Sequence, residues 1–181
     1  MTTLKNELIG TWRLLSYIEV PINGVDSKFP MGKNPKGLLM QNAEGYMSMQ
    51  ISSSERSQFS SADRYQASAD ELISHVQRFI AFAGPYKINE SKAVIQYALS
   101  TSSYPNWEGK IQERRVDFDG DVLYLKSVEP ILSNGEYVNS YMTWHRIEEE
   151  EFLSRRERFL EYTSRSVQEE IRTRDMEDFQ E

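Results

Sequence analysis

Gln112 and Arg114 are the residues of this chain best spaced to do chemistry inside a fold. They lie on Lys110–Phe118, a segment whose apolar alternation carries Val116 and Phe118. A strand there turns Gln112 and Arg114 to the same side as its core residues. An unpartnered charge on that side costs several kcal/mol, so the pair implies either a satisfied internal network or a polar hold on a ligand. A bulge in this strand would present Glu113 and Arg115 instead. Arg114, always charged at working pH, is the candidate to hold or polarise a ligand oxygen. Tyr97 and His75 are the candidate proton donors, His75 because imidazole titrates closest to neutrality. On Ala93–Ser100 either Ile95, Tyr97 and Leu99 or the more polar Val94, Gln96 and Ala98 face inward, so Gln96 is a candidate beside Tyr97. Ser16 shares its parity with Trp12, Leu14, Ile18 and Val20, a polar position on an apolar face. Tyr104-Pro105-Asn106-Trp107 is an aromatic loop suited to a cavity mouth, with Tyr104, Asn106 and Trp107 as binding candidates.

The elements that must position these residues are strands. Gly10–Val20 alternates strictly, with Thr11, Arg13, Tyr17 and Glu19 on the face opposite Trp12. Gly37–Gln41 and Tyr46–Ile51 read as a hairpin across Asn42-Ala43-Glu44-Gly45, with either Met47, Met49 and Ile51 or Tyr46, Ser48 and Gln50 lining the interior. After Pro85 come Tyr86–Asn89, Ala93–Ser100, Lys110–Phe118, Val122–Val128 and Tyr137–Ile147. Asp119-Gly120 and Asn134-Gly135 are turn signals between them. Between Ser60 and Gly84 the period changes. Leu72, Ile73, Val76, Phe79, Ile80 and Ala83 form a helical stripe, Ser68 and Glu71 its capping box, and Gly84-Pro85 its stop. This predicts an amphipathic helix near 69–83. About eight short strands with tight turns favour a closed up-and-down antiparallel barrel, which also removes exposed edges.

Composition narrows the chemistry. The 181 residues contain no cysteine and two histidines, which excludes thiolate chemistry and makes an imidazole-rich metal site improbable on arithmetic alone. Residues 148–181 hold 12 acids against 6 arginines, so nearly all of the net charge of −7 sits there. An almost neutral body with an acidic tail has no footprint for nucleic acid. No apolar run approaches the length of a membrane span, and the first residues have no secretory pattern, so the expected location is cytoplasmic. No phosphate-binding glycine loop or nucleophile elbow occurs, and no cofactor is expected. The tail lacks glycine and proline. Leu153, Leu160 and Val167 recur at sevens, which predicts a charged helix able to pair with a second copy as a homodimer. The expected division is a barrel domain over 1–147 and a helical extension over 148–181.

Gly10-Thr11-Trp12 on the first strand and Thr143-Trp144-His145-Arg146 on the last resemble the calycin signature, in which the tryptophan closes one end of a barrel under an arginine. Leu8–Leu14, Pro35–Leu39, Glu44–Ser48 and Tyr104–Trp107 are similar to phrases of the small intracellular lipocalin-like domain family of bacteria and fungi. The resemblance spans roughly residues 4–147. It implies a barrel of the lipocalin-like kind enclosing a small, largely apolar metabolite with carbonyl or hydroxyl groups. The activity expected on this basis is a cofactor-independent cyclase or isomerase of natural-product biosynthesis, with a non-catalytic carrier as the alternative. In either case Arg114, Tyr97 and His75 are the expected active groups, and Ser16, Gln96, Gln112, Tyr104, Asn106 and Trp107 the expected ligand contacts.

Overall fold

A computed structural model describes residues 3–24 and 26–148. A five-residue helix α1 (Leu4–Leu8) leads into β1 (Gly10–Pro21), β2 (Lys36–Gln41) and β3 (Tyr46–Ser52). Helix α2 (Ala69–Gln77) then precedes β4 (Phe79–Asn89), β5 (Val94–Ala98) and the two-residue β6 (Thr101–Ser102). The chain continues through β7 (Ile111–Asp119), β8 (Val122–Ser127), β9 (Ile131–Ser133) and β10 (Glu136–Arg146). All pairings are antiparallel. The order β1-β2-β3-β4-β5-β7-β8-β10 closes on itself through β1–β10, giving an eight-stranded barrel, with β6 beside β4 and β9 beside β10. The barrel belongs to a compact unit, Met1–Arg146, and Ile147–Glu181 is a second unit. The C-terminal helix and the dimer expected from it lie outside the described residues.

Alternation explains most of the barrel. Met47, Met49 and Ile51 of β3, Ile95 and Tyr97 of β5, Leu123, Leu125 and Ser127 of β8, and Val138, Ser140, Met142 and Trp144 of β10 are all buried. The Asn134-Gly135 turn joins β9 to β10 with both residues at positive φ, the conformation that a two-residue hairpin requires.

One end of the barrel is closed by side chains. Trp12 is fully buried. Its indole Nε1 donates to the Leu8 carbonyl at 3.1 Å, and its ring lies 5.9 Å from that of Phe118. The Arg146 guanidinium sits 4.1 Å from the Trp12 ring centroid and donates to the carbonyls of Ile9, at 2.9 Å, and Glu7. The arginine thus gains cation–π energy of about 0.5–2 kcal/mol and ties α1 down as a cap.

Two sequence expectations are corrected. The helix expected near 69–83 stops at Gln77, and Phe79–Asn89 is extended. The capping box is present as expected, with Ser68 and Glu71 each bonded to the other's backbone, but it fixes only where the helix starts. From Phe79 onward the chain gains more as a barrel strand: Phe82, Gly84 and Tyr86 are buried, and the strand pairs with β3 along Phe79–Pro85 on one side and, on the other, with β6 at Phe82 and Ala83 and with β5 along Tyr86–Asn89. Residues Leu72, Ile73 and Val76 of the shortened helix are left exposed. The second correction concerns β1. Leu14 pairs with Trp144 and Ser16 with Thr143, so Leu15 is an extra residue, a β-bulge. Beyond it the parity inverts. Tyr17 and Glu19 are buried, and Ser16, Ile18 and Val20 take the opposite face.

Candidate functional site

The inward faces of the strands meet in a polar belt toward the end of the barrel opposite Trp12. Its positions follow from register. Glu19 on β1 faces Ser140 on β10, whose backbone N–H donates to Ser127 Oγ on β8 at 3.0 Å. Ser127 pairs with Arg114 on β7, and Arg114 with Ile95 on β5. Two register positions further along, Gln112 faces Tyr97. The belt is therefore built by five neighbouring strands, and all its members are buried except Gln112, which is partly so.

Arg114 is the centre of this belt. It is 4% exposed, and its Nη2 donates to Gln112 Oε1 at 3.0 Å, while its Nε has no partner. Among the described residues no carboxylate stands within ion-pair distance of it. Burial pushes its pKa down, an effect opposed by the nearby hydroxyls of Tyr17 and Tyr97, yet a guanidinium remains charged. Tyr97 is wholly buried and its hydroxyl has no partner either. Burial drives its pKa far up, with Arg114 pulling the other way. Tyr17 donates to Glu19 Oε1 at 2.6 Å, and Ser133 donates to Glu19 Oε2 at 2.8 Å. The Tyr17 pKa is raised first by burial, then by the Glu19 charge and hydrogen bond. Ser140 Oγ and Trp144 Nε1 are further buried groups with no partner. Buried polar atoms are ordinarily satisfied, so the unpartnered groups of Arg114, Tyr97 and Ser140 single out the belt as the candidate site.

The remaining candidates fall elsewhere. Gln96 is on the outer face of β5, where its Nε2 donates to Glu113 Oε1 at 2.5 Å. Glu113 and Arg115 line that same outer groove, so the register carries Gln112 and Arg114 inward. Ser16 is turned from the interior by the bulge. His75 lies on α2 beside a surface cavity of about 210 Å³, stacked on Phe79 at 5.6 Å, edge-on to Phe59 at 5.7 Å, and bonded through Nδ1 to Arg56. Burial and the Arg56 charge lower its pKa, and its hydrogen bond and ring contacts are with Arg56, Phe59 and Phe79 rather than with the belt. The aromatic loop is compact. Asn106 Nδ2 donates to the Tyr104 hydroxyl at 3.1 Å, Tyr104 meets Trp107 edge-on at 5.6 Å, and Trp107 meets the buried Phe82 edge-on at 5.9 Å. It leads directly into β7 and so stands over the strand that carries Gln112.

Tyr17, Glu19, Ser127 and Ser140 belong to the belt without having been singled out in the sequence. The Leu14-Leu15 pair, two leucines in succession within strict alternation, is the signal that announces the inversion placing Tyr17 and Glu19 there.

Tyr97→Phe is expected to raise the urea midpoint. It removes a buried donor without a partner, a defect worth about 1–3 kcal/mol. A lowered midpoint would show that the hydroxyl is already satisfied.

A closed eight-stranded antiparallel barrel, plugged at one end by a tryptophan under an arginine and polar within toward the other, is a calycin-type binding barrel. The chain belongs to the lipocalin-like domain family, whose pattern it matches over residues 9–147. It is also 33% identical over 85 residues to the 4'-hydroxy-3'-methoxypropiophenone carrier protein ppsC of Aspergillus oryzae, an alignment covering 43% of this chain and 76% of that protein. Fold and family define a small-molecule-binding barrel. No described helix is long and apolar enough to cross a membrane.

Proposed function

We propose that this protein is a carrier that holds a small, largely apolar aromatic metabolite inside the barrel, anchored by an oxygen at Arg114 and Tyr97. The observation that carries this reading is the pair of unpartnered buried donors, Arg114 Nε and Tyr97 Oη, on the neighbouring strands β7 and β5. An oxygen acceptor on a ligand satisfies both at once. The rest of the interior suits an apolar body. Met31, Met47, Met49 and Met142 are all buried, and methionine repacks around irregular shapes with little cost. The relative in Aspergillus oryzae is named as the carrier of an aryl ketone, a molecule of this description.

The belt supports carriage better than catalysis. Both buried tyrosines hold their protons far above neutral pH, and His75 is engaged with Arg56 outside the belt. A cyclase or isomerase needs a group that gives up or takes a proton near working pH. One feature favours the second reading: Glu19 is a buried carboxylate hydrogen-bonded to Tyr17, a base in a water-poor site.

Calorimetric titration with 4'-hydroxy-3'-methoxypropiophenone, with the ligand recovered afterwards, tests both. Binding is expected in the wild type, and the ligand is expected back unchanged. Arg114→Leu should weaken binding by roughly 10- to 100-fold, the worth of one charged hydrogen bond. Trp107→Ala should raise the dissociation rate by opening the mouth. Rearrangement of the ligand faster than in buffer establishes an enzyme, and unaltered affinity in both variants moves the site elsewhere.

A further inference from the structure

We propose that the ligand oxygen held at Arg114 is anionic: the barrel takes an apolar molecule carrying a carboxylate, or a phenol or enol that ionises as it binds. The inference deepens the proposed function and rests on it. A neutral carbonyl would satisfy the hydrogen bonding of the belt but leave its charge uncompensated.

Arginine is almost never buried without a partner of opposite charge, because the desolvated cation is otherwise unsupported. Here the guanidinium is 4% exposed, and its side-chain hydrogen bond goes to the neutral amide of Gln112. The strand neighbours at its own level are Ser127 and Ile95, neither charged. The one carboxylate in the belt is Glu19, three strands away by way of Ser127 and Ser140. Both its oxygens are taken, one by Tyr17 and one by Ser133, and it is beyond ion-pair distance from Arg114. Tyr17 and Tyr97 remain neutral in this surrounding, so neither supplies the missing charge. The cation therefore waits for a counter-ion. Arg114 Nε–H and the Tyr97 hydroxyl, both without partners, are two donors for one oxyanion, and charge-assisted bonds of this kind are about twice as strong as neutral ones. An acid entering this site is stabilised in its ionised form, so its pKa falls on binding.

Two matched probe pairs test the charge separately from the binding. The first pair is 4'-hydroxy-3'-methoxypropiophenone and its 4'-O-methyl ether, which cannot ionise. The second is 3-phenylpropanoate and its methyl ester. All four are titrated into the 181-residue chain by calorimetry, and the phenol is also followed by its ultraviolet absorption below the pH at which it ionises in buffer. We expect at least one acid to bind about tenfold or more tightly than its neutral partner. If it is the phenol, its bound spectrum will be that of the phenolate; if it is the propanoate, the anion is a carboxylate. In Arg114→Met the preference within the pair should vanish, the acid losing more affinity than its neutral partner. The wild-type comparison decides the matter even if that variant fails to fold. Equal binding within both pairs overturns the anion while leaving the carrier reading in place. Failure of all four to bind overturns both.

Discussion

Replacing Trp12 with alanine is expected to remove about 3–5 kcal/mol of stability, the range for truncating a large, fully buried aromatic side chain. In a domain of this size that is a fall in melting temperature of roughly 10 °C or more. The loss has identifiable parts. The indole packs against Phe118, is covered by the Arg146 guanidinium, and donates to the Leu8 carbonyl at the end of α1. Without it Arg146 loses its ring and α1 loses one of its ties to the barrel. Trp12→Phe restores most of the packing but neither the N–H donor nor the stronger cation–π face, and so should fall between the two. The measurement is thermal unfolding of all three proteins. A Trp12→Ala protein that melts with the wild type would mean that the plug contributes nothing to stability.

Gly84→Ala is expected to be comparably damaging for a single methyl group. A Cβ at this position would stand 1.9 Å from the Ala98 carbonyl oxygen and 2.9 Å from the Ser100 amide nitrogen, both of them backbone atoms that no rotamer change can move. The contact arises where β4 changes partner, pairing with β5 through Tyr86–Asn89 and with β6 through Phe82 and Ala83. The Ser100 amide donates to the Ala83 carbonyl at 2.9 Å across this crossing. Overpacking a well-filled core costs about 1–3 kcal/mol even where side chains can give way. Here the backbone must shift, so the cost should reach or pass the upper figure. The displacement runs into residues 101–109, so the seat of Trp107 on Phe82 should loosen as well. Urea denaturation together with hydrogen exchange across 98–107 measures both effects, and an unchanged midpoint would show that the close approach is not there.

The barrel was legible because alternation and turn dipeptides are local signals that tertiary contacts reinforce. Asn134-Gly135 formed the hairpin it announced, and the parity of Val116 and Phe118 carried Gln112 and Arg114 inward. What could not be read is set by pairing rather than by local pattern. The run from Leu72 to Ala83 satisfies a helical period, and β4 is disguised because two of its positions are Gly84 and Pro85, residues that usually end an element. Only the close approach of Ala98 shows why a glycine must be there. Gln96 and Tyr97 are adjacent, so choosing between them required the neighbouring strand. His75 had the right chemistry in isolation, but the early end of α2 leaves it with Arg56, Phe59 and Phe79 outside the barrel.

The extra residue at Leu15 gives β1 two reading frames. In the first, even-numbered positions supply the plug, Trp12 and Leu14; in the second, odd-numbered positions supply Tyr17 and Glu19 to the belt. A single strand thereby serves two tasks that place opposite demands on polarity. The two halves are also insulated from each other, since a change of side chain in one frame leaves the other's alternation intact. Their phase, however, depends on Leu15 staying out of the ladder. If Leu15 instead took a place in the ladder opposite Thr143, Ser16 and Ile18 would turn to the interior and Glu19 to solvent, erasing the acidic pole of the belt. Deleting Leu15 would leave a regular strand with Tyr17 and Glu19 still inward. A relative without this residue should therefore present the same inward side chains from a straight β1, whereas one that pairs it into the ladder should present the opposite set.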